Sequence, residues 1–187
     1  NNKDGIDFCL KDGYYGDTRF HIPFIAWYQV MNASLALITM EVLKDKLPVG
    51  MEQLQAGIKN TRWQGRMETI LPGVIVDGAH NEDGVRRFVE TTERFQEEYP
   101  LTLLFSAVND KDYQDMIHTI CSRIRFRKVV TTEVGGYREV PSAKLAEIFR
   151  KEGCREVGNS DNIEEAFHMA CEAKREDGML FCVGSLY

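Results

Sequence analysis

The stretch Val74-Ile75-Val76-Asp77-Gly78-Ala79-His80-Asn81 is the part of the chain best equipped for chemistry. Three apolar residues suit a buried strand, Asp77 would emerge at its tip, and Gly78 and Ala79 leave room for a ligand against the backbone. A carboxylate so placed can accept two hydrogen bonds from vicinal hydroxyls such as those of ribose. His80, beside the unsatisfied amides of a following helix that Asn81 would cap, can meet phosphate oxygens. The same residues also suit an ordinary Asp-Gly turn, with Asp77 capping the backbone and His80 packing locally. Upstream, Trp63-Gln64-Gly65-Arg66 presents a guanidinium after a glycine. A planar guanidinium there can bridge phosphates bidentately, or it is a plain surface cation.

Other residues with chemical potential are less organised. Gly135-Gly136-Tyr137-Arg138 reads as a flexible loop at the carboxyl end of a strand, on the side where ligands sit. Ser185 lacks an Asp/His partner pattern for a nucleophile. His118 and His168 fall inside helical segments, and His21 precedes Pro23 in a turn. The five cysteines form no C-x-x-C pair, which disfavours a disulfide framework or a zinc site and favours buried, reduced thiols.

The elements that must position these groups follow from periodicity. Short apolar runs at residues 67–71, 74–77, 101–107, 128–132, 155–157 and 179–183 read as strands. The helix after residue 81 carries Val85, Phe88, Val89, Thr92 and Phe95 on one side, with Glu82/Arg86, Asp83/Arg87 and Glu90/Arg94 as surface pairs at i, i+4. A second helix spans residues 112–123. A third follows Pro141, with Leu145, Ile148 and Phe149 inward. The fourth has Asp161 as its cap and Glu164 three residues later, with Ile163, Ala166, Phe167 and Ala170 facing a sheet. Alternation of this kind predicts a Rossmann-like, mostly parallel α/β sheet with helices on both faces. Pro72-Gly73 makes the first two strands an antiparallel hairpin. Ligands of such a sheet bind beyond the carboxyl ends of its strands, where Asp77 stands.

The first 60 or so residues predict strands at 6–10, 14–15 and 19–22, a helix over 27–43 with Met31, Leu35, Ile38 and Val42 on its inner face, and a short helix over 51–58. That is too little for an independent core. Residues 1–62 are therefore read as the remnant of a preceding domain plus linker, and 63–187 as the Rossmann-like domain. The opening residue is Asn, which suggests a piece of a longer protein.

Composition narrows the function classes. Among 187 residues, 23 Lys and Arg face 29 Asp and Glu, for a formal charge of −6. That balance argues against a broad nucleic-acid surface, because such surfaces need clustered cations. Neither a membrane-spanning run nor a secretion signal is present, so a cytoplasmic protein without membrane partners is expected. No G-x-x-x-x-G-K-[ST] phosphate loop occurs, and no G-x-G-x-x-G follows a strand.

Taken in order, four signatures resemble the folylpolyglutamate synthase/dihydrofolate synthase family of Mur-type ATP-dependent amide ligases. They are Gln29-x-x-Asn32-Ala33-x-x-Ala36, Trp63-x-Gly65-Arg66, Asp77-Gly78-Ala79-His80-Asn81 and Gly184-Ser185-Leu186-Tyr187. Val108-x-Asp110-Lys111-Asp112 is similar to that family's Asp-Lys-Asp stretch. Tyr28, Gln64 and Glu82 depart from its usual His, Pro and Pro. The resemblance implies a Mur ligase C-terminal domain preceded by a small α+β remnant of the central ATPase domain. It implies ATP contacts at Asn32 (adenine), Arg66 (phosphates) and Asp77 (ribose), with His80 nearby, and a catalytic role for Arg66 and His80. The implied substrates are ATP, L-glutamate and a folate or dihydropteroate carboxylate. Mg²⁺ ligands would lie in the missing N-terminal part, as would the central domain on which this fragment docks. The fragment alone is expected to be inactive. The competing readings are a non-catalytic nucleotide-binding module and a cell-wall Mur amino-acid ligase, whose usual Asp-Tyr-Ala-His is not found here.

Overall fold

The computed structural model describes residues 5–11, 14–136 and 138–184. The chain divides into two compact units, Asn1–Gln64 and Gly65–Tyr187.

In the first unit, β1 (Ile6–Phe8) pairs antiparallel with β2 (Phe20–Ile22), and two helices follow, α1 (Trp27–Val42) and α2 (Met51–Asn60). Two small clusters hold it: Ile6, Ile22, Phe24, Val30 and Ala33, then Leu10, Tyr15, Phe20 and Leu37. Residues 14 and 15 form a bend, not the expected strand. Tyr15 is inserted into the core, where its hydroxyl donates to the Leu37 carbonyl at 2.7 Å and its ring meets Phe20 edge-on.

The inner face of α1 also differs from expectation. Met31, Leu35 and Val42 are 71%, 66% and 76% exposed, while Gln29, Val30, Ala33 and Leu37 are buried. Both sets have helical spacing, and the one that meets the β1–β2 ribbon is buried.

The second unit is a six-stranded sheet. Its strands are β3 (Glu68–Leu71), β4 (Val74–Asp77), β5 (Leu101–Ser106), β6 (Phe126–Thr132), β7 (Val157–Ser160) and β8 (Met179–Gly184), in the order β3-β4-β8-β5-β6-β7. Only β3–β4 is antiparallel. Its turn is Pro72-Gly73, with Gly73 at φ 71°, a backbone angle that glycine adopts without the steric cost of a Cβ.

Chirality then dictates which face each helix covers. The crossovers through α3 (Glu82–Thr92), α4 (Tyr113–Arg123) and α5 (Ser142–Lys151) all advance toward the β7 edge, so right-handed connection puts them on one face. The return from β7 to β8 runs the other way, and α6 (Ile163–Lys174) accordingly covers the opposite face. Side chains agree: Phe88 and Phe149 pack edge-on against Phe181 and Phe105 on the first face, while Ala166 and Ala170 meet Leu104, Val130 and Leu180 on the second. Burying one large aromatic side chain contributes roughly 1.5–3 kcal/mol.

Several local expectations need correction. Surface pairs on α3 form at i, i+3, Asp83–Arg86 and Arg87–Glu90. Ile148 is only half-buried. On α6 the cap is Asn162, which accepts from the Glu165 amide at 3.0 Å, because Asp161 is engaged by the Ser142 hydroxyl. That shift leaves Ile163 53% exposed rather than facing the sheet. Strand β7 lies later than expected, at Val157-Gly158-Asn159-Ser160. It is a polar edge strand held by pairing with β6, so apolarity does not announce it. The thiols are not deeply buried: Cys9 is exposed and the other four are intermediate, all free. No helix among the described residues is long and apolar enough to cross a membrane.

Candidate functional site

The second unit concentrates its candidate residues where β3, β4 and α3 meet. Strand β4 buries Val74 and Ile75 and delivers Asp77 to its carboxyl end, 4% exposed. Asp77 Oδ2 accepts a hydrogen bond from the Met67 amide at 2.9 Å. One residue along, the Gly78 amide donates to the Gly65 carbonyl at 2.7 Å. These two bonds grip the chain on either side of Arg66. Gly65 and Met67 both have left-handed backbone, φ 63° and 49°. For Met67 that conformation costs on the order of 1 kcal/mol, stored by the buried bond to Asp77. Residues 65–67 are thus a fixed kink with Arg66 at its apex. The Arg66 side chain is half-exposed, and its guanidinium has no hydrogen-bond or ion-pair partner among the described residues. A cation on a fixed backbone, with no counter-charge among the described residues, is suited to receive an anion.

His80 stands on the next loop. Its Nδ1 lies 2.7 Å from the Gly78 carbonyl, which can only accept, so Nδ1 carries a proton and donates. In the neutral ring Nε2 is then left with its lone pair, and in the charged ring it becomes a second donor. Asn81 caps α3, accepting from the Gly84 amide at 2.8 Å. A side chain at position 84 would meet Ala79 and Asn81 at 3.2 and 3.1 Å, so glycine lets the first helical turn sit close under the loop.

Around the neighbouring strand ends, Arg138 donates to Asp110 at 3.0 Å, and Asn109 bonds Arg138 and Glu139 backbone carbonyls at 2.6 and 2.8 Å. The loop containing Gly135 and Gly136 is thereby tied to the end of β5. Asp112 is the cap of α4, accepting from Asp115. At Glu133 the Ser142 amide favours the carboxylate, but burial, Asp161 and Glu139 outweigh it and leave the carboxyl above its ordinary range. Gly184, at φ 131°, packs against the end of β5, where a Cβ would fall 2.0 Å from the Ser106 carbonyl oxygen.

Arg66, Asp77 and His80 therefore share one rim. Asn32 belongs to the other unit, exposed on α1, with its amide donating to buried Gln29 at 2.9 Å. Gln29, the first residue of the signature that contains Asn32, thus holds the Asn32 amide from one turn earlier in the helix. Reading by residue type had no signal for Met67, whose contribution is a backbone amide. Tyr137, Ser185, Leu186 and Tyr187 lie outside the described residues. Among those described, no group of three or more His, Cys, Asp or Glu side chains is arranged to hold a metal ion.

Residues 65–186 match the family described as Mur ligase, glutamate ligase domain. The dihydrofolate synthase/folylpolyglutamate synthase of Bacillus subtilis is 29% identical over 192 aligned residues, covering 97% of this chain and 42% of that protein. The chain thus spans about two fifths of that relative. Among solved structures, Mycobacterium tuberculosis folylpolyglutamate synthase complexed with ADP and AMPPCP superposes with a TM-score of 0.75 at 23% identity, covering 89% of this chain and 40% of that one. A Yersinia pestis folylpolyglutamate synthase/dihydrofolate synthase, complexed with AMPPNP and a Mn ion, gives 0.71 at 18%, covering 91% and 40%.

Proposed function

From the premise that the chain belongs to the Mur ligase glutamate ligase domain family, we propose that it serves an ATP-dependent ligase joining L-glutamate to a folate or dihydropteroate carboxylate. The observation that carries this reading is the clamped backbone kink at residues 65–67, which presents the Arg66 guanidinium, without a partner among the described residues, on a rim with His80 and Asp77. In the proposed reaction the carboxylate attacks the γ-phosphate and expels ADP to give an acyl phosphate, and the amine of glutamate then displaces phosphate to form the amide.

Arg66 would lie against the phosphates and offset charge as it develops on them, with the kink fixing where its side chain leaves the backbone. His80 would donate from Nε2 to a phosphate oxygen in its charged form. Asp77 would take the ribose while still holding Met67, since each carboxylate oxygen accepts two hydrogen bonds. Asn32, oriented by Gln29, would touch adenine. Residues 1–62 would belong to the central ATP-binding domain. The other phosphate contacts and the Mg²⁺ ligands are assigned to ligase sequence beyond this chain, so the 187 residues alone should be inert and bind ATP feebly. The protein would work in the cytoplasm. The test is phosphate release by the intact ligase with ATP. Release that requires both the pteridine substrate and glutamate supports the reading, and release indifferent to both sinks it.

A further inference from the structure

Cys121 and Cys154 are separated by 33 residues in sequence, yet their sulfurs lie 3.6 Å apart. We propose that these two thiols are a redox-modification site, closing to a reversible disulfide that latches α4 to the turn between α5 and β7. The inference is independent of the ligase reading.

The scaffold holds both cysteines in place. Cys121 is in the last turn of α4. Cys154 follows Gly153, whose φ of 94° ends α5, and its amide donates to the Phe149 carbonyl at 3.0 Å. A second tie joins the same two elements, His118 Nδ1 to Glu152 Oε2 at 2.9 Å. A disulfide needs its sulfurs about 2.05 Å apart, so the approach required is about 1.5 Å, within reach of small side-chain rotations. Both residues are half-buried rather than sealed in the core, and Cys121 lines an open hollow of about 520 Å³ with Arg123 and Arg125.

The pair also separates its roles. The S–H of Cys121 shared with Cys154 draws the Cys154 thiol below its ordinary range and pushes Cys121 up. Cys154 is thus the nucleophile. With a hydroperoxide as oxidant, the Cys154 thiolate attacks one peroxide oxygen, the O–O bond breaks, and a sulfenic acid forms as water or an alcohol leaves. Cys121 sulfur then attacks the sulfenic sulfur, the S–O bond breaks, and the hydroxyl departs as water with the Cys121 proton. Two thiols lose two protons and two electrons, and the peroxide takes them up. A thiol reductant reverses the bond by exchange. By contrast, Cys182 is packed under α6 and burial pushes its thiol up to about 12, which keeps it protonated. The latch sits where chain enters β6 and β7, at the rim opposite Asp77.

The test uses this chain with Cys9→Ser, to prevent links between molecules, treated with hydrogen peroxide at neutral pH. The expected result is loss of two alkylatable thiols and one cross-linked peptide pair, Cys121–Cys154, lighter by two hydrogens and restored by dithiothreitol. The oxidised chain should also melt several degrees higher. In Cys121→Ser the link should vanish and a sulfenic-acid probe should mark Cys154. Oxidation of the unsubstituted chain supplies the scale without any variant. If Cys9 there is consumed while Cys121 and Cys154 both remain alkylatable, or if cross-links fall on other cysteines, the proposal is overturned.

Discussion

Helices α1 and α3 each carry an apolar stripe at helical spacing, and they put it to opposite use. On α3 the stripe Val85, Phe88, Val89 is 0%, 1% and 1% exposed against the sheet. On α1 the stripe Met31, Leu35, Val42 faces outward, and the smaller set Val30, Ala33, Leu37 is covered. A stripe shows that a face can be buried, and only tertiary partners decide whether it is. A helix with apolar residues on two sides has its second side available to something else.

The sharpest contrast comes from truncating one residue on each stripe. Phe88→Ala removes a ring stacked edge-on with Phe181 at 5.7 Å and should cost about 3–5 kcal/mol in urea unfolding. Next in size, Gly184→Ala forces a methyl group onto the Ser106 carbonyl and should cost about 1–3 kcal/mol or more, read as a lowered denaturation midpoint. Asp77→Ala leaves the buried Met67 amide without its acceptor, at about 1–3 kcal/mol, and should speed hydrogen exchange at residues 65–67 while the sheet stays protected. On the exposed stripe, Leu35→Gln should move stability by less than about 0.5 kcal/mol. A loss comparable to that of Phe88→Ala would show that the α1 stripe is covered after all.

The smallest effect is a pH dependence. The Glu133 carboxyl lies above its ordinary range in the fold, so the folded state binds that proton more tightly than the unfolded one. Its contribution to stability is present below the ordinary carboxylate range and is lost as pH rises through the raised value. Glu133→Gln, which keeps an acceptor for the Ser142 amide, should therefore be slightly more stable than the parent near neutrality. The gap should shrink as the solution is acidified, as followed by thermal melts.

Much of the second unit was legible because its signals are local. Pro72-Gly73 specifies a two-residue turn, Val74-Ile75-Val76 a buried strand, and Asn81 a cap, and each needs only its neighbours. Where the structure departs from the local pattern, a contact distant in sequence is decisive. Asp161 lost its cap position to Ser142, nineteen residues away, and β7 owes its existence to β6 rather than to apolarity. At the site, Arg66, Asp77 and His80 were visible as residue types. The kink that aims Arg66 was not, since it consists of a methionine amide, two left-handed backbone angles and a carbonyl.

That kink is the core of the account. The most direct measurement is steady-state turnover of the intact ligase carrying Arg66→Ala, alongside its unfolding curve. A loss of about 10²–10³ in kcat is expected, with an unchanged unfolding midpoint. Turnover within twofold of the parent would contradict it.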